Sequence, residues 1–77
     1  MYYVYLLELV DGKIYVGYSS NLKKRIEDHK RGIVKTTKGL FLKLISYVAF
    51  SDEEKARKFE RYLKRGSGFA FRNKHFV

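Results

Sequence analysis

The sequence contains no cysteine, so the chain can form neither a disulfide framework nor a thiolate metal site. A reducing compartment is therefore permitted. Long apolar runs are also lacking, because none approaches the roughly 18 residues that a membrane-spanning helix needs. Met1 leads directly into a strand-like segment, without the basic region and small-residue cleavage site of a signal peptide. We therefore expect a cytoplasmic protein with no membrane partner.

Acidic residues are few as well. Eight Asp and Glu residues face 17 Lys and Arg residues, which gives a formal net charge of +9. This charge favours polyanions through Coulomb attraction and counterion release, so nucleic acid, either DNA or RNA, is the leading partner. The 77 residues predict one domain over residues 1–77 with one small core. A chain of this length buries only about 60% of its unfolded surface.

The sequence opens with a predicted β-hairpin. Tyr2–Leu9 is apolar on both alternating faces apart from Glu8, which is typical of a strand covered from two sides. Lys13–Tyr18 is its predicted partner. Val10–Gly12 carries a turn signal between them, since Gly12 can adopt the left-handed conformation that a three-residue bulged loop requires.

The length of this loop decides which side chains share a face of the sheet. With two loop residues, Tyr5 and Tyr15 would lie on opposite faces. With three, Tyr5 opposes Gly17, and Tyr3, Tyr5 and Tyr15 share a face. We predict the three-residue loop, because it gathers the hydroxyl groups on one face and makes the other wholly aliphatic. The predicted aliphatic set is Val4, Leu6, Ile14 and Val16.

Two helices and one further strand are predicted after the hairpin. Ser19 or Ser20 can cap a helix over residues 21–31 that Gly32 ends, with Leu22, Ile26 and His29 as its inward stripe and Arg25 beside it. Residues 33–39 form a polar connection and residues 40–50 a third strand.

A capping box at residues 51–54 opens a second helix to about residue 65, ended by Gly66. Its predicted buried stripe is Ala56, Phe59 and Leu63, and Glu60 borders this stripe. The three phenylalanines of residues 67–77 are expected to pack back on the domain.

Three of these side chains suit phosphodiester hydrolysis. The reaction needs a base or orienting group for water, a cation near the nonbridging oxygens and usually a divalent metal. Tyr15, Arg25 and Glu60 match these needs in that order, and a single carboxylate is an acceptable ligand for Mg²⁺. Tyrosine is a weak base with a pKa of about 10, so a neighbouring cation must favour its phenolate. His29 or Tyr5 could relay the proton.

Each residue also has an ordinary structural interpretation. Gly17 could merely relieve crowding next to Tyr5. Arg25 alone is usually a solvated helix residue, and His29 alone is more often a helix-end cation. Glu60 could form a surface ion pair with Lys64, worth about 0.2 to 0.5 kcal/mol. The order of the residues along the chain, rather than any one of them, favours a shared site.

That order resembles the GIY-YIG nuclease family, which includes homing endonucleases, some restriction enzymes and the nuclease subunit of bacterial nucleotide-excision repair. The first motif reads Tyr3-Val4-Tyr5 and the second Tyr15-Val16-Gly17. By resemblance, the family's catalytic residues fall on Tyr5, Tyr15, Arg25, His29 and Asn73, and its metal-binding glutamate falls on Glu60.

The resemblance implies an α+β fold with a three-stranded antiparallel sheet flanked by helices. It also implies an endonuclease that hydrolyses phosphodiester bonds in DNA with one Mg²⁺ or Mn²⁺ ion, with structure-specific cleavage in DNA repair as a further expectation. Basic residues around the site are expected to bind the nucleic acid. They are Lys13, Lys23, Lys24, Lys64, Arg72 and Lys74.

Two other functions fit the basic composition. A noncatalytic nucleic-acid-binding module on the same fold would show salt-sensitive binding without turnover. A basic adaptor for an acidic protein would bind that protein and have negligible affinity for nucleic acid.

Overall fold

Three strands and two α-helices form an α+β fold in the computed structural model, which describes residues 1–65. The elements in chain order are β1 (Tyr2–Leu9), β2 (Ile14–Ser19), α1 (Leu22–Lys30), a short 3₁₀ helix (Lys35–Thr37), β3 (Phe41–Phe50) and α2 (Glu53–Lys64). The strands form one antiparallel sheet in the order β2-β1-β3. The predicted fold class, a three-stranded antiparallel sheet flanked by helices, is confirmed.

The hairpin has the predicted register. Tyr5 lies opposite Gly17, and Leu7 lies opposite Tyr15. The turn depends on Gly12, whose φ of 85° lies in the left-handed region and whose N–H donates to the carbonyl oxygen of Leu9 at 2.9 Å. The three-residue loop therefore places the tyrosines of the two motifs on one face, as predicted from the sequence.

Helix α2 covers one face of the sheet, which we call the α2 face. Ala56 and Leu63 from this helix pack with the buried side chains of Val4, Leu6 and Val16. The prediction of a wholly aliphatic face is wrong, because aromatic rings border this cluster. They belong to Tyr2, Tyr18, Phe50 and Phe59.

Helix α1 covers the opposite face, which we call the α1 face. Tyr5, Leu7 and Leu9 are buried there, and Leu22 and Ile26 of α1 pack against them. Strand β1 is thus buried from both sides, as its continuous apolar pattern predicts. The α1 face is the one that carries the hydroxyl groups of Tyr5 and Tyr15.

Both helices begin at a different residue from the predicted one. Asn21 caps α1, since its side-chain oxygen accepts from the N–H of Lys24 at 3.2 Å, whereas Ser19 lies within β2 opposite Tyr3. Asp52 caps α2 and accepts from the N–H of Glu54 at 2.8 Å. The predicted caps at Ser19 or Ser20 and at residue 51 are therefore wrong by one or two positions.

The connection between α1 and β3 is less polar in its packing than in its sequence. Val34 and Thr37 are buried, and residues 35–37 form the short 3₁₀ helix that places Thr37 under α1. Gly66, Asn73 and the three phenylalanines of the last segment lie outside the described residues. No helix within residues 1–65 is long and apolar enough to span a bilayer.

Candidate active site

Four of the predicted site residues converge on the α1 face. The Tyr5 hydroxyl lies 2.8 Å from Nε2 of His29, and Nε of Arg25 donates to the same hydroxyl at 3.4 Å. The Tyr15 ring packs beside this group, with its centroid 5.3 Å from that of His29 and 6.3 Å from that of Tyr5. Strands β1 and β2 and helix α1 therefore each contribute to one cluster of polar-tipped rings and a guanidinium.

Gly17 makes room for the Tyr5 hydroxyl. A Cβ atom at position 17 would clash with Cζ and the hydroxyl oxygen of Tyr5. The Tyr5 ring therefore crosses directly over the backbone of β2, and only glycine permits this approach. The structural role of Gly17 and its role in the site therefore depend on the same contact. By relieving the crowding, Gly17 lets the Tyr5 hydroxyl reach His29.

His29 is buried and has a partner at each ring nitrogen. Its Nδ1 lies 2.6 Å from Oγ1 of Thr37, and its Nε2 lies 2.8 Å from the Tyr5 hydroxyl. Because Arg25 donates to the Tyr5 oxygen, the Tyr5 proton is free to point at His29. We assign the tautomer from this network: Tyr5 donates to Nε2, and the Nδ1–H of His29 donates to Thr37.

Burial keeps the side chains of His29 and Tyr5 uncharged. Desolvation, and then the charge of Arg25, lowers the pKa of His29 below its ordinary value. Burial raises the pKa of Tyr5 to about 12 and outweighs the hydrogen bond from Arg25, which acts in the opposite direction. His29 is therefore not the helix-end cation of the ordinary interpretation, and Tyr5 remains a protonated donor at neutral pH rather than a phenolate.

Thr37 is the member of the cluster that sequence reasoning missed. It is completely buried and holds the imidazole of His29 from the side opposite Tyr5. A threonine in a segment rich in lysine carries no periodic signal, and its burial depends on how the 3₁₀ helix folds under α1. Sequence spacing alone could not have identified it.

Two groups of the cluster remain available to a substrate. Within residues 1–65 the Tyr15 hydroxyl makes no hydrogen bond, although its ring is packed. The guanidinium of Arg25 is engaged only through Nε, and its two terminal nitrogens have no partner among the same residues. A planar fork of this kind can bind two oxygens of a phosphate group.

Glu60 reaches the cluster electrostatically from α2. Its charge contributes to raising the pKa of Tyr5, as the weakest of the causes that act on that hydroxyl. The side chain is only 19% exposed, and Nζ of Lys64 donates to its Oε2 at 3.2 Å. The ion pair with Lys64 considered from the sequence therefore forms.

The donor set at Glu60 fits a hard divalent cation, with one protein ligand. Within the described part of the chain, no three His, Cys, Asp or Glu side chains lie close enough together to hold a metal ion. A carboxylate oxygen is nevertheless the ligand type that Mg²⁺ prefers, and Mg²⁺ commonly completes its shell with water and phosphate oxygens. The Glu60 carboxylate is therefore chemically suited to such an ion.

The predicted nucleic-acid-binding residues differ in how they are paired. Lys13 and Lys23 are exposed and form no ion pair within residues 1–65. Lys24 pairs with Asp28 at 3.3 Å. Arg72, Asn73 and Lys74 lie outside the described residues.

Comparison with known proteins gives consistent results. The sequence-family model of the GIY-YIG catalytic domain matches residues 1–74. The UPF0213 protein CPE1444 of Clostridium perfringens is 37% identical over 67 residues, which cover 84% of this chain and 72% of that protein. A UPF0213 protein of Streptococcus pneumoniae is 37% identical over 65 residues, which cover 82% of this chain and 66% of that protein.

A solved structure matches the fold as well. The solution NMR structure of the UPF0213 protein BH0048 from Bacillus halodurans has a TM-score of 0.60 and 32% sequence identity, over 95% of this chain and 81% of that one. Together with the domain match over residues 1–74, this likeness confirms the resemblance found in the two tyrosine motifs. The chain therefore belongs to the GIY-YIG family of nuclease domains.

Proposed function

We propose that this chain is a metal-dependent endonuclease that hydrolyses phosphodiester bonds in DNA. The observation that carries the proposal is the Tyr5 hydroxyl held between Arg25 and His29, at 3.4 and 2.8 Å, beside the Tyr15 ring. A buried cluster of this kind reduces the apolar content of a small core. Stability alone does not account for it.

Arg25 would bind the phosphate that is cleaved. Its terminal nitrogens have no partner within residues 1–65, and its Nε is fixed by Tyr5. The guanidinium is therefore oriented before a substrate arrives, and no rearrangement is needed to place two donors on the nonbridging oxygens. The hydrogen bond to Tyr5 also raises the pKa of Arg25, so the group keeps its charge.

Tyr15 would act on the attacking water, as its base or as the group that orients it. The water oxygen forms the new bond to phosphorus, the bond to the leaving oxygen breaks, and the proton of the water passes to the base. Neutral His29 can take up a proton through Tyr5, because its Nε2 carries the lone pair that accepts the Tyr5 hydrogen bond. Tyr5 and His29 would thus hold and pass protons, and Asn73 is proposed to help position the substrate.

Glu60 would hold the metal ion. When bound, Mg²⁺ or Mn²⁺ supplies charge that stabilises the phosphate oxygens as negative charge develops on them. Lys64, whose Nζ lies 3.2 Å from Oε2 of Glu60, would have to move aside, and it could then bind a neighbouring phosphate. This exchange of partners is consistent with the small energy of an ion pair whose lysine is half exposed.

A nicking assay with a matched pair of variants tests the proposal. Supercoiled plasmid, branched DNA and linear DNA are incubated with Mg²⁺ and with wild type, Glu60→Gln or Glu54→Gln. Glu54 is the control, because it pairs with Lys58 on the same helix as Glu60 pairs with Lys64. We expect Glu60→Gln to lower the nicking rate by about a hundredfold and Glu54→Gln to leave it unchanged. Faster cutting of branched than of linear DNA would support structure-specific cleavage and a role in repair.

A noncatalytic nucleic-acid-binding module is the second candidate, and the ion pair of Glu60 with Lys64 favours it. In that case no variant would affect turnover, because there would be none. Binding to duplex DNA would fall by about 0.9 log units per phosphate contacted for each log unit of salt. Equal nicking rates for wild type and Glu60→Gln would exclude Glu60 from the chemistry.

A further inference from the structure

A groove of about 560 Å³ lies on the α1 face, between helix α1 and the edge strand β3. Ile26 of α1 and Leu44 of β3 contribute apolar surface to it, and the rings of Tyr3 and Tyr47 line it from the sheet. None of the four residues of the Tyr5 cluster lines this groove. It is therefore a separate surface, and the proposed chemistry does not explain it.

Tyr47 is the unusual residue of the groove. Its side chain is 52% exposed although it lies on the sheet face that α1 covers. The rings of Tyr3 and Tyr47 form an edge-to-face pair, with centroids 6.1 Å apart and an interplanar angle of 66°, so Tyr3 helps to hold the Tyr47 ring in place. A large aromatic side chain that is held in place but left half exposed offers a ring face to a planar ligand.

The charges along the rim favour an anion. Lys23 and Lys30 are seven residues apart, so they lie on the same side of α1, and both line the groove. Both are exposed and form no ion pair within the described residues. Glu27 lies between them and lowers the local charge without cancelling it. The first turn of α1 contains no acidic residue, whereas acids normally stabilise that end of a helix.

The groove and the Tyr5 cluster flank the same helix. In a helix with 3.6 residues per turn, Arg25 and His29 lie on one side of the stripe of Leu22 and Ile26. Lys23 and Lys30 lie on the other side. A nucleic-acid strand that enters the candidate active site could therefore continue across α1 into the groove without leaving the α1 face.

We propose that the groove binds an unpaired nucleotide of the DNA substrate, whose base stacks on Tyr47 while Lys23 and Lys30 contact the flanking phosphates. In a duplex both faces of every internal base are covered by neighbouring base pairs, so only an unpaired base can offer a face to the Tyr47 ring. The inference rests on the proposed function for the choice of DNA as ligand. It adds a substrate class, namely DNA with an unpaired nucleotide close to the cleaved bond.

Photocrosslinking tests where the base lies. A short oligothymidylate that contains 5-iodouracil is mixed with the full chain in EDTA, which prevents metal-dependent cleavage, and the irradiated complex is digested and mapped by mass spectrometry. We expect the crosslink at Tyr47. A crosslink only at other residues, or no crosslink above background, would overturn the inference.

Affinity measurements test the stacking energy. By fluorescence anisotropy, Tyr47→Ala should weaken binding of the single-stranded oligonucleotide by about tenfold, and Tyr47→Phe, which keeps the ring, by less than about twofold. A duplex of equal length should lose less than about twofold in Tyr47→Ala. Tyr62→Ala is the control, because Tyr62 is a 40% exposed tyrosine on α2, away from the groove. Equal losses for the single strand and the duplex would contradict the assignment.

The rim is tested through salt dependence. Lys30→Ala should reduce the slope of log affinity against log salt for the single strand by about 0.7, and Lys55→Ala, an exposed lysine of α2, should not. Glu27→Gln should change affinity in the opposite direction. All these readouts are taken without cleavage, so a negative result would leave the nicking result unaffected. A crosslink at Tyr47 without nicking would support nucleotide binding in the groove and contradict the proposed endonuclease activity.

Discussion

The two faces of the sheet bury different chemistry. On the α2 face the buried cluster consists of Val4, Leu6, Val16, Ala56 and Leu63, all of them aliphatic. The buried polar side chains of residues 1–65 are His29 and Thr37, and both lie on the α1 face, where the buried hydroxyl of Tyr5 joins them. The buried side chains of the α2 face therefore serve stability, whereas those of the α1 face give up apolar contact in order to hold a hydrogen-bonded site.

The two helices differ in the same way. Helix α2 begins with Glu53 and Glu54, which suit the positive end of a helix, and three ion pairs with a spacing of four residues run along it. Helix α1 has no acid in its first turn and one such pair, between Lys24 and Asp28. Within residues 1–65, Lys23, Arg25 and Lys30 of α1 thus form no ion pair and are left for a ligand, whereas Arg57, Lys58 and Lys64 of α2 are matched within their own helix.

The largest effect that we expect is on the α2 face. Leu63→Ala removes a completely buried side chain from the aliphatic cluster and should lower the free energy of unfolding by about 2 to 5 kcal/mol. Leu42, which is 51% exposed on β3, is the matched control and should cost less than about 0.5 kcal/mol as Leu42→Ala. Urea unfolding measures both. Similar costs for the two variants would show that the α2 face is not the main source of stability.

Arg25→Lys should have the next largest effect, and on the rate rather than on stability. Lysine keeps the charge but loses the fork and the Nε donor to Tyr5, so we expect kcat/KM for nicking to fall by about a hundredfold. The free energy of unfolding should change by less than about 1 kcal/mol, because the hydrogen bond that is lost is long, at 3.4 Å. Arg61→Lys on α2 is the control. A large loss of stability with an unchanged rate would reverse the proposed division between the faces.

Gly17→Ala should affect both properties. The added methyl group meets the Tyr5 ring, and overpacking of this kind costs about 1 to 3 kcal/mol. In a double-mutant cycle with Tyr5→Ala, the cost of Gly17→Ala should nearly disappear, because the ring that it meets is gone. Urea unfolding of the four proteins measures the coupling. An unchanged cost in the absence of the ring would place the strain in the backbone of β2 instead.

The part of the fold that local patterns determine was predictable. The continuous apolar run of β1 indicated a strand buried from both sides, and the three-residue loop at Gly12 set the register, which places Tyr5 opposite Gly17 and on the same face as Tyr15. Helical spacing placed Arg25 and His29 together. These predictions depend on periods of two and 3.6 residues, which a sequence carries directly.

Tertiary contacts decided the rest. Ser19, Ser20 and Asn21 are comparable caps by residue type, and the pairing of Ser19 with Tyr3 in the sheet is what moves the start of α1 beyond it. The bond between His29 and Thr37 joins two elements whose approach no local pattern encodes. Burial then changed the chemistry, since the pKa values of His29 and Tyr5 follow from desolvation by the assembled fold.

The smallest effect that we expect is a loss of stability in acid that arises from His29 on the α1 face. The pKa of folded His29 lies below its unfolded value of about 6.5, so folding favours the neutral ring. The stability that His29 contributes is therefore complete above about pH 6.5 and is lost as the pH falls towards the folded pKa, by at most about 1.4 kcal/mol per pH unit. Urea unfolding at about pH 7 and about pH 5 should show this loss in wild type and in Leu63→Ala, whose change lies on the other face, but not in His29→Gln. An equal acid sensitivity in His29→Gln would mean that the imidazole does not titrate against the fold.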